Sequence, residues 1–317
     1  MTTTGARPVG RYERLQLASA RVPFRLKSLV VWLVIFALLI GFFSLAKFDA
    51  KWMLDNARFV LGGLQFTLML AIAAIVLACI CALIGALCRI SKNPVLYGVA
   101  GFYTSFFRGT PLIVQLFLVY LALPQIAAGL GNARLTDLAT LSAFQAGVIG
   151  LGLNYGAYLT EIFRAGIQAV PHGQYEAADA LGMTYRHTMR RVILPQAFRI
   201  VIPPTGNEFI AMLKDTALVS FLGVAAERAE VFRRASLVGK SDFKNLEALI
   251  LAALIYWALT GIFTYFQGRL EKKLSKGYVR TSASTSAAIA KATAGQGGST
   301  PSLPVAPGPG TDPEDTS

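Results

Sequence analysis

The chain carries little charge for its length. Charged residues make up 15% of its 317 positions, where a soluble domain carries about 25%. Cysteines at paired turn positions, as a zinc site needs, are also missing. Cys79, Cys81 and Cys88 fall inside one apolar run, and Cys81 and Cys88 share a helix face. They read as buried thiols rather than as metal ligands or a disulfide framework. The short segments of alternating polarity that build a membrane barrel are absent too. So is a phosphate-binding loop. Val238-Gly239-Lys240-Ser241 resembles the end of one, but Arg234 occupies the position of its first glycine. ATP hydrolysis is therefore not expected of this chain, which reads as a non-enzyme.

Apolar residues are what it has. They make up 54% of the chain, and mean hydropathy is +0.53. They come in blocks long enough to cross a hydrocarbon core, which takes roughly 20 residues as helix. About six segments qualify: 29–46, 59–88, 95–123, 141–163, 200–225 and 247–267. The fold class is all-α, a polytopic membrane protein of about six transmembrane helices.

The net charge of +13 follows the ends of these segments and does not form a nucleic-acid patch. Arg21, Arg25 and Lys27, then Arg89 and Lys92, then Arg186, Arg190 and Arg191, then Arg269, Lys272, Lys273 and Lys276 mark cytoplasmic flanks. Both termini, the 89–94 turn and 164–199 are expected inside. Residues 226–246 resist this rule. They carry Arg228, Arg233, Arg234, Lys240 and Lys244, yet the span count places them outside.

Residues 1–28 read as a mobile basic segment. Span 29–46 reads as a retained signal-anchor helix, because no small-x-small cleavage site follows it. The Ser/Thr/Ala/Pro/Gly tail at 282–317 cannot bury enough apolar surface to order itself. Two spans carry breakers. Arg108-Gly109-Thr110-Pro111 should break or kink span 95–123, and Pro203-Pro204 should free backbone groups in span 200–225. Gly152 and Gly156 form a small-xxx-small pair that admits a close neighbouring helix.

A polar island separates the fourth and fifth segments. After Pro171-His172-Gly173, residues Gln174 to Leu181 read as a short helix with Glu176 and Asp179, slim on its Ala177-Ala178 side. Gly182 is placed to end it in the left-handed conformation. Thr184 is expected to cap a second helix, which Pro195 should close. By physics alone the island is either a docking element or an amphipathic pair on lipid headgroups.

The residues carry a resemblance. Glu176-Ala177-Ala178, then Gly182, then Val192-Ile193-Leu194-Pro195 is similar to the EAA loop of bacterial ABC importer permeases, with Val192 where that pattern has Ile. Phe107-Arg108-Gly109-Thr110-Pro111-Leu112 with Gln115 resembles the polar amino acid permeases. So do Tyr158 with Glu161, Phe163 and Arg164, Gly173-Gln174, Pro204 with Gly206-Asn207, and Lys214-Asp215-Thr216. The likeness covers roughly 57–270.

The resemblance implies a type I ABC importer permease core in a bacterial plasma membrane. Its loop 165–199 would couple to a cytoplasmic ATPase through Gly173, Glu176, Ala177, Ala178, Gly182, Leu194 and Pro195. ATP and Mg would be bound by that ATPase and not by this chain. A second permease chain, identical or related, and an extracytoplasmic solute-binding protein are the other implied partners.

Polar groups inside a bilayer are costly and face a bundle interior or a water path. This nominates Arg108, Gln115, Asn154, Glu161, Asn207, Glu208, Lys214 and Asp215 for a zwitterionic amino acid. Arg and Lys would meet its carboxylate, and the carboxylates and Asn its ammonium. The competing reading is that these groups pair with one another. At the level of function the alternative is an ion-coupled secondary transporter, which leaves the island unexplained.

Overall fold

In the computed structural model, residues 23–45 and 48–274 are described; the expected mobile segment before 23 and the tail at 282–317 lie outside them. The described residues are helical, with no strand among them. α1 spans Phe24–Leu45, α2 Ala50–Leu61, α3 Leu64–Ile90, α4 Pro94–Gly109 and α5 Leu112–Gly129. α6 is Ala133–Ala139, α7 Ala143–Gln168, α8 His172–Ala180 and α9 Tyr185–Thr188. α10 is Leu194–Asp215, α11 Val231–Ser241 and α12 Asn245–Leu274.

By length and apolarity, α3, α5 and α12 can each cross a membrane, and the α6–α7 pair, bent by 75°, makes up to four. That falls short of the six expected spans. α10 carries Arg199, Glu208, Lys214 and Asp215, and the apolar part of α1 is limited to Leu26–Leu38. Apart from Ser28, the side chains described on α1 are exposed.

α3 shows how the bundle is built. Its small residues Ala71, Ala74, Ala78, Ala82 and Ala86 are fully buried, while Ile72, Val76, Ile80 and Ile84 are exposed. A soluble helix would bury the large residues. Here lipid solvates them, and the small face lets backbones approach. The partner is α7, which answers with its own small face. A Cβ on Gly152 would sit 2.6 Å from Leu77 Cδ2, and one on Gly156 would sit 2.8 Å from Cys81 Cβ. The expected close approach at this glycine pair is present.

A second cluster joins α2, α11 and the first part of α12 through Met53, Val60, Val231, Ala248 and Leu251. Asp49 caps α2 by accepting from Trp52 N at 3.0 Å, and Lys244 Nζ lies 3.4 Å from its carboxylate. Trp52 Nε1 donates to Asp242 at 2.7 Å. Glu230 is buried and caps α11, accepting from Phe232 N at 2.7 Å and from the Tyr256 hydroxyl at 2.5 Å. From Tyr265 onward α12 belongs to a second compact unit, in which the Arg269 guanidinium lies 4.6 Å from the Tyr265 ring centroid.

Candidate functional site

The run Arg108-Gly109-Thr110-Pro111 does interrupt the helix. α4 ends at Gly109, Pro111 is extended, and α5 begins at Leu112. The break leaves carbonyls without helical partners, and two amides satisfy them. Gln115 Nε2 donates to Phe107 O at 2.9 Å, Thr110 O at 3.1 Å and Thr110 Oγ1 at 2.8 Å. Asn154 Nδ2 donates to Phe107 O and to Gln115 Oε1, both at 3.0 Å. Gln115 is 2% exposed and Asn154 6%. Both were nominated for a substrate path, and in the structure both hold the break, where an unsatisfied buried carbonyl would cost several kcal/mol.

Arg108 stands apart from that network. It is exposed, and its guanidinium lies 5.3 Å from the Tyr158 ring centroid. One turn along α7, Glu161 accepts from Arg164 Nε at 2.8 Å, pairs with Arg164 Nη2 at 2.7 Å, and lies 3.4 Å from Arg89 Nε. That Arg89 nitrogen is buried and makes no hydrogen bond, so its contact with Glu161 is Coulombic only. Its guanidinium also stacks 4.4 Å from the Tyr97 ring centroid. Arg89, Arg108, Tyr158 and Glu161, together with Gly101 and Ser105, line an open cavity of about 540 Å³. The pairing of Glu161 with Arg164 follows the competing reading of the sequence.

α10 is continuous through Pro203 and Pro204, the two prolines that were expected to free backbone groups. Two prolines remove two donors but need not unwind a helix that neighbours support, and Thr205 Oγ1 bonds back to Val201 O at 2.7 Å. Asn207 and Lys214 are exposed, and Glu208 and Asp215 are half-buried on the adjoining face. Asp215 accepts from the Tyr155 hydroxyl at 2.8 Å. No ion pair involves Glu208, Lys214 or Asp215 among the described residues. Tyr155, in turn, lies 6.5 Å from Tyr158, centroid to centroid. Two tyrosines on α7 thus run from the acidic pair toward Arg108. Sequence reasoning missed Tyr155, whose only signal is its place one turn before Tyr158. It also read Arg89 as a flanking charge alone.

The island folds as two helices about a glycine. Gly182 has φ of +69°. Gly182 N bonds to Asp179 O at 2.8 Å and Met183 N to Ala178 O at 3.1 Å, a Schellman ending of α8. Ala178 is buried; Gly173, Glu176 and Ala177 are exposed. His172 Nδ1 lies 3.0 Å from Glu176 Oε1. Gln196 Nε2 donates to Gln174 Oε1 at 3.0 Å, tying α8 to the start of α10.

Two expectations fail in the island. Thr184 makes no capping bond; its hydroxyl meets His187 Nδ1 at 3.1 Å. Nor does Pro195 close the second helix. A π-turn at Met189–Ile193 links α9 directly to α10, Leu194 N donating to Met189 O, so Pro195 lies within continuous helical backbone.

The model of the family described as "Binding-protein-dependent transport system inner membrane component" matches residues 81–276. A probable amino-acid permease protein, YxeN of Bacillus subtilis, is 41% identical over 73% of this chain and 97% of its own length. The arginine transport system permease protein ArgU of Corynebacterium glutamicum is 46% identical over 68% of each chain. The L-cystine transport system permease protein TcyB of Bacillus subtilis is 41% identical over 68% of this chain and 86% of its own. A solved amino acid ABC transporter chain is 38% identical, with a TM-score of 0.63 over 71% of this chain and 98% of that one. The chain belongs to the family of inner membrane components of binding-protein-dependent transport systems, as a multi-pass ABC importer permease and not an enzyme.

Proposed function

We propose that this chain is the membrane-spanning subunit of an ATP-driven importer for a polar amino acid, with Glu208 and Asp215 receiving the substrate's ammonium side. The observation that carries the site is the acidic pair on α10. Glu208 and Asp215 lie half-buried on one face of α10, Asp215 accepting from the Tyr155 hydroxyl, and neither forms an ion pair among the described residues. If α10 crosses the bilayer, carboxylates without a paired cation are costly there, and a cationic group passing them relieves the cost. Arg108, exposed beside Tyr158, is placed to meet a carboxylate. Asn207 and Lys214 border this face, and Glu161 belongs to the ion-pair cluster below it.

In this reading the 165–199 loop and both termini face the cytoplasm, and α8 enters a groove of the partner ATPase. Ala177 keeps α8 slim, Glu176 offers the carboxylate, and the Gly182 ending sets the angle between α8 and α9. Leu194 and Pro195 carry the connection into α10. ATP and Mg belong to the ATPase. A solute-binding protein delivers substrate on the far side, and a second permease chain, identical or related, completes the path.

Uptake and ATPase activity of Glu208→Gln and Asn207→Ala, reconstituted with the partner subunits, test the site. Loss of a charged hydrogen bond predicts about tenfold or greater weakening of apparent substrate affinity for Glu208→Gln. Normal affinity in both variants removes them from the path. Uptake driven by an ion gradient without ATP would overturn the importer class itself.

A further inference from the structure

A groove of sharply changing polarity runs along the root of the loop. Its polar end is a cavity of about 640 Å³ bounded by Leu87 of α3, Tyr185, Arg186, Arg190 and Leu194. Leu194 also lines a smaller, wholly apolar recess with Leu83, Phe163, Ile167 and Phe198. Leu83 and Leu87 are one turn apart on α3, so cavity and recess share both a wall and the Leu194 side chain. Arg186 and Arg190 are exposed, and neither makes an ion pair among the described residues. The neighbouring acids do not supply one. Glu161 is taken by Arg164 at 2.7 Å, and Glu176 faces His172 at 3.0 Å.

We propose that this groove binds an anionic phospholipid of the leaflet at the α8 end of the bundle. The phosphate sits between Arg186 and Arg190, and one acyl chain lies along the exposed side chains of Leu87, Leu83 and Phe198, across the mouth of the recess, which at about 20 Å³ is too small to take it in. The lining is amphiphilic in the right order: two unpaired guanidiniums at the end where α3 leaves the apolar core, and hydrocarbon only beyond them. Basic pockets between membrane helices favour such headgroups. A soluble anion would use the arginines but leave the apolar face bare, and a neutral lipid would use the apolar face but not the charge.

The bound lipid would bridge α3, which packs on α7, and the π-turn at Met189–Ile193, which joins the loop to α10. Lipid composition would then bias how firmly the loop is held against the bundle. Binding here requires only that α3 and α10 cross the bilayer, and it is independent of the amino acid carried.

The test is native mass spectrometry of the detergent-purified transporter, titrated with phosphatidylglycerol, phosphatidylcholine or inorganic phosphate. Wild type is expected to hold phosphatidylglycerol in preference to phosphatidylcholine, undisturbed by inorganic phosphate. At about 1 kcal/mol per basic residue, Arg186→Gln with Arg190→Gln should weaken retention by roughly twenty- to thirtyfold. Leu83→Gln, which makes the apolar face polar and leaves the charges alone, should also weaken it. Equal retention of both lipids, or retention unchanged in either variant, overturns the proposal. Displacement by inorganic phosphate overturns it in favour of a free-anion site. Loss of the ATPase subunit from the double arginine variant with lipid retained overturns it in favour of a protein contact.

Discussion

At the scale of single residues, burial decides which charges are structural and which stay available. Glu230 is the clearest case outside the spans. Burial pushes its carboxyl up to about 7, against the opposing pull of the Tyr256 hydroxyl, the Phe232 and Arg233 amides and the Arg233 charge. A carboxyl raised in the folded state binds its proton more tightly there than in the unfolded chain. Stability therefore falls as pH rises from the ordinary carboxylate range to about 7, and levels off above it. The shift corresponds to roughly 3–4 kcal/mol at most. Thermal unfolding of the purified transporter should show a midpoint that drops over that window. Glu230→Gln, which removes the titration but turns one of the two accepting oxygens into a donor facing the α11 amides or the Tyr256 hydroxyl, should flatten the profile and lower the midpoint. An unchanged profile would show that the carboxyl titrates normally.

At the scale of elements, the pairing of α3 with α7 rests on small residues whose tolerance differs from one position to the next. A Cβ at Gly152 meets one side chain, Leu77, at 2.6 Å from Cδ2, 2.8 Å from Cγ and 3.0 Å from Cβ, so a rotamer change relieves only part of the contact. A Cβ at Gly156 meets Cys81 Cβ at 2.8 Å, the Tyr103 hydroxyl at 2.6 Å and Ala78 O at 3.3 Å. Tyr103 is itself held, donating to Leu153 O at 2.7 Å. Gly156→Val should therefore cost about 1–3 kcal/mol and Gly152→Ala less than that. The order of their unfolding midpoints checks this; a reversed order would place the tight contact elsewhere.

Much of this level was legible in the sequence: the apolar runs, the small-xxx-small pair, the break at Arg108-Gly109-Thr110-Pro111 and the left-handed Gly182. These depend on local sterics and hydropathy. The uses of Gln115 and Asn154 were not legible. Which carbonyl a buried amide satisfies depends on which helices come together, and Phe107 and Asn154 meet only in the folded bundle. Pro203-Pro204 is a related case, since the helix runs on through both prolines where local propensity alone favours an end. The π-turn that absorbs Pro195 has no local signature either.

At the scale of the whole molecule, the loop and the polar face are two ends of the same helices. α7 runs from Tyr155 and Tyr158 through Glu161 to the entrance of the loop, and α10 leaves the loop through the π-turn and carries Glu208 and Asp215. Ile167 and Val170 at the end of α7 pack with Met189, Ile193 and Ala197 at the start of α10. A displacement of α8 would therefore act on both helices that bear the candidate groups. Gly182 sets the angle at which α8 meets that joint, in a conformation that costs a β-branched residue roughly 1–2 kcal/mol. A Cβ there meets no atom within 4 Å, so Gly182→Val perturbs the turn and not the packing beneath it. The expected result is a folded permease with a near-normal unfolding midpoint whose ATPase assembles poorly, or hydrolyses ATP without uptake. Glu208→Gln should give the opposite pattern, with the ATPase bound and regulated normally but the apparent substrate affinity reduced. Measuring assembly, hydrolysis and uptake on both variants separates the joint from the path. If Gly182→Val leaves all three unchanged, the glycine serves only to end a helix, and the coupling must pass through other residues of the loop.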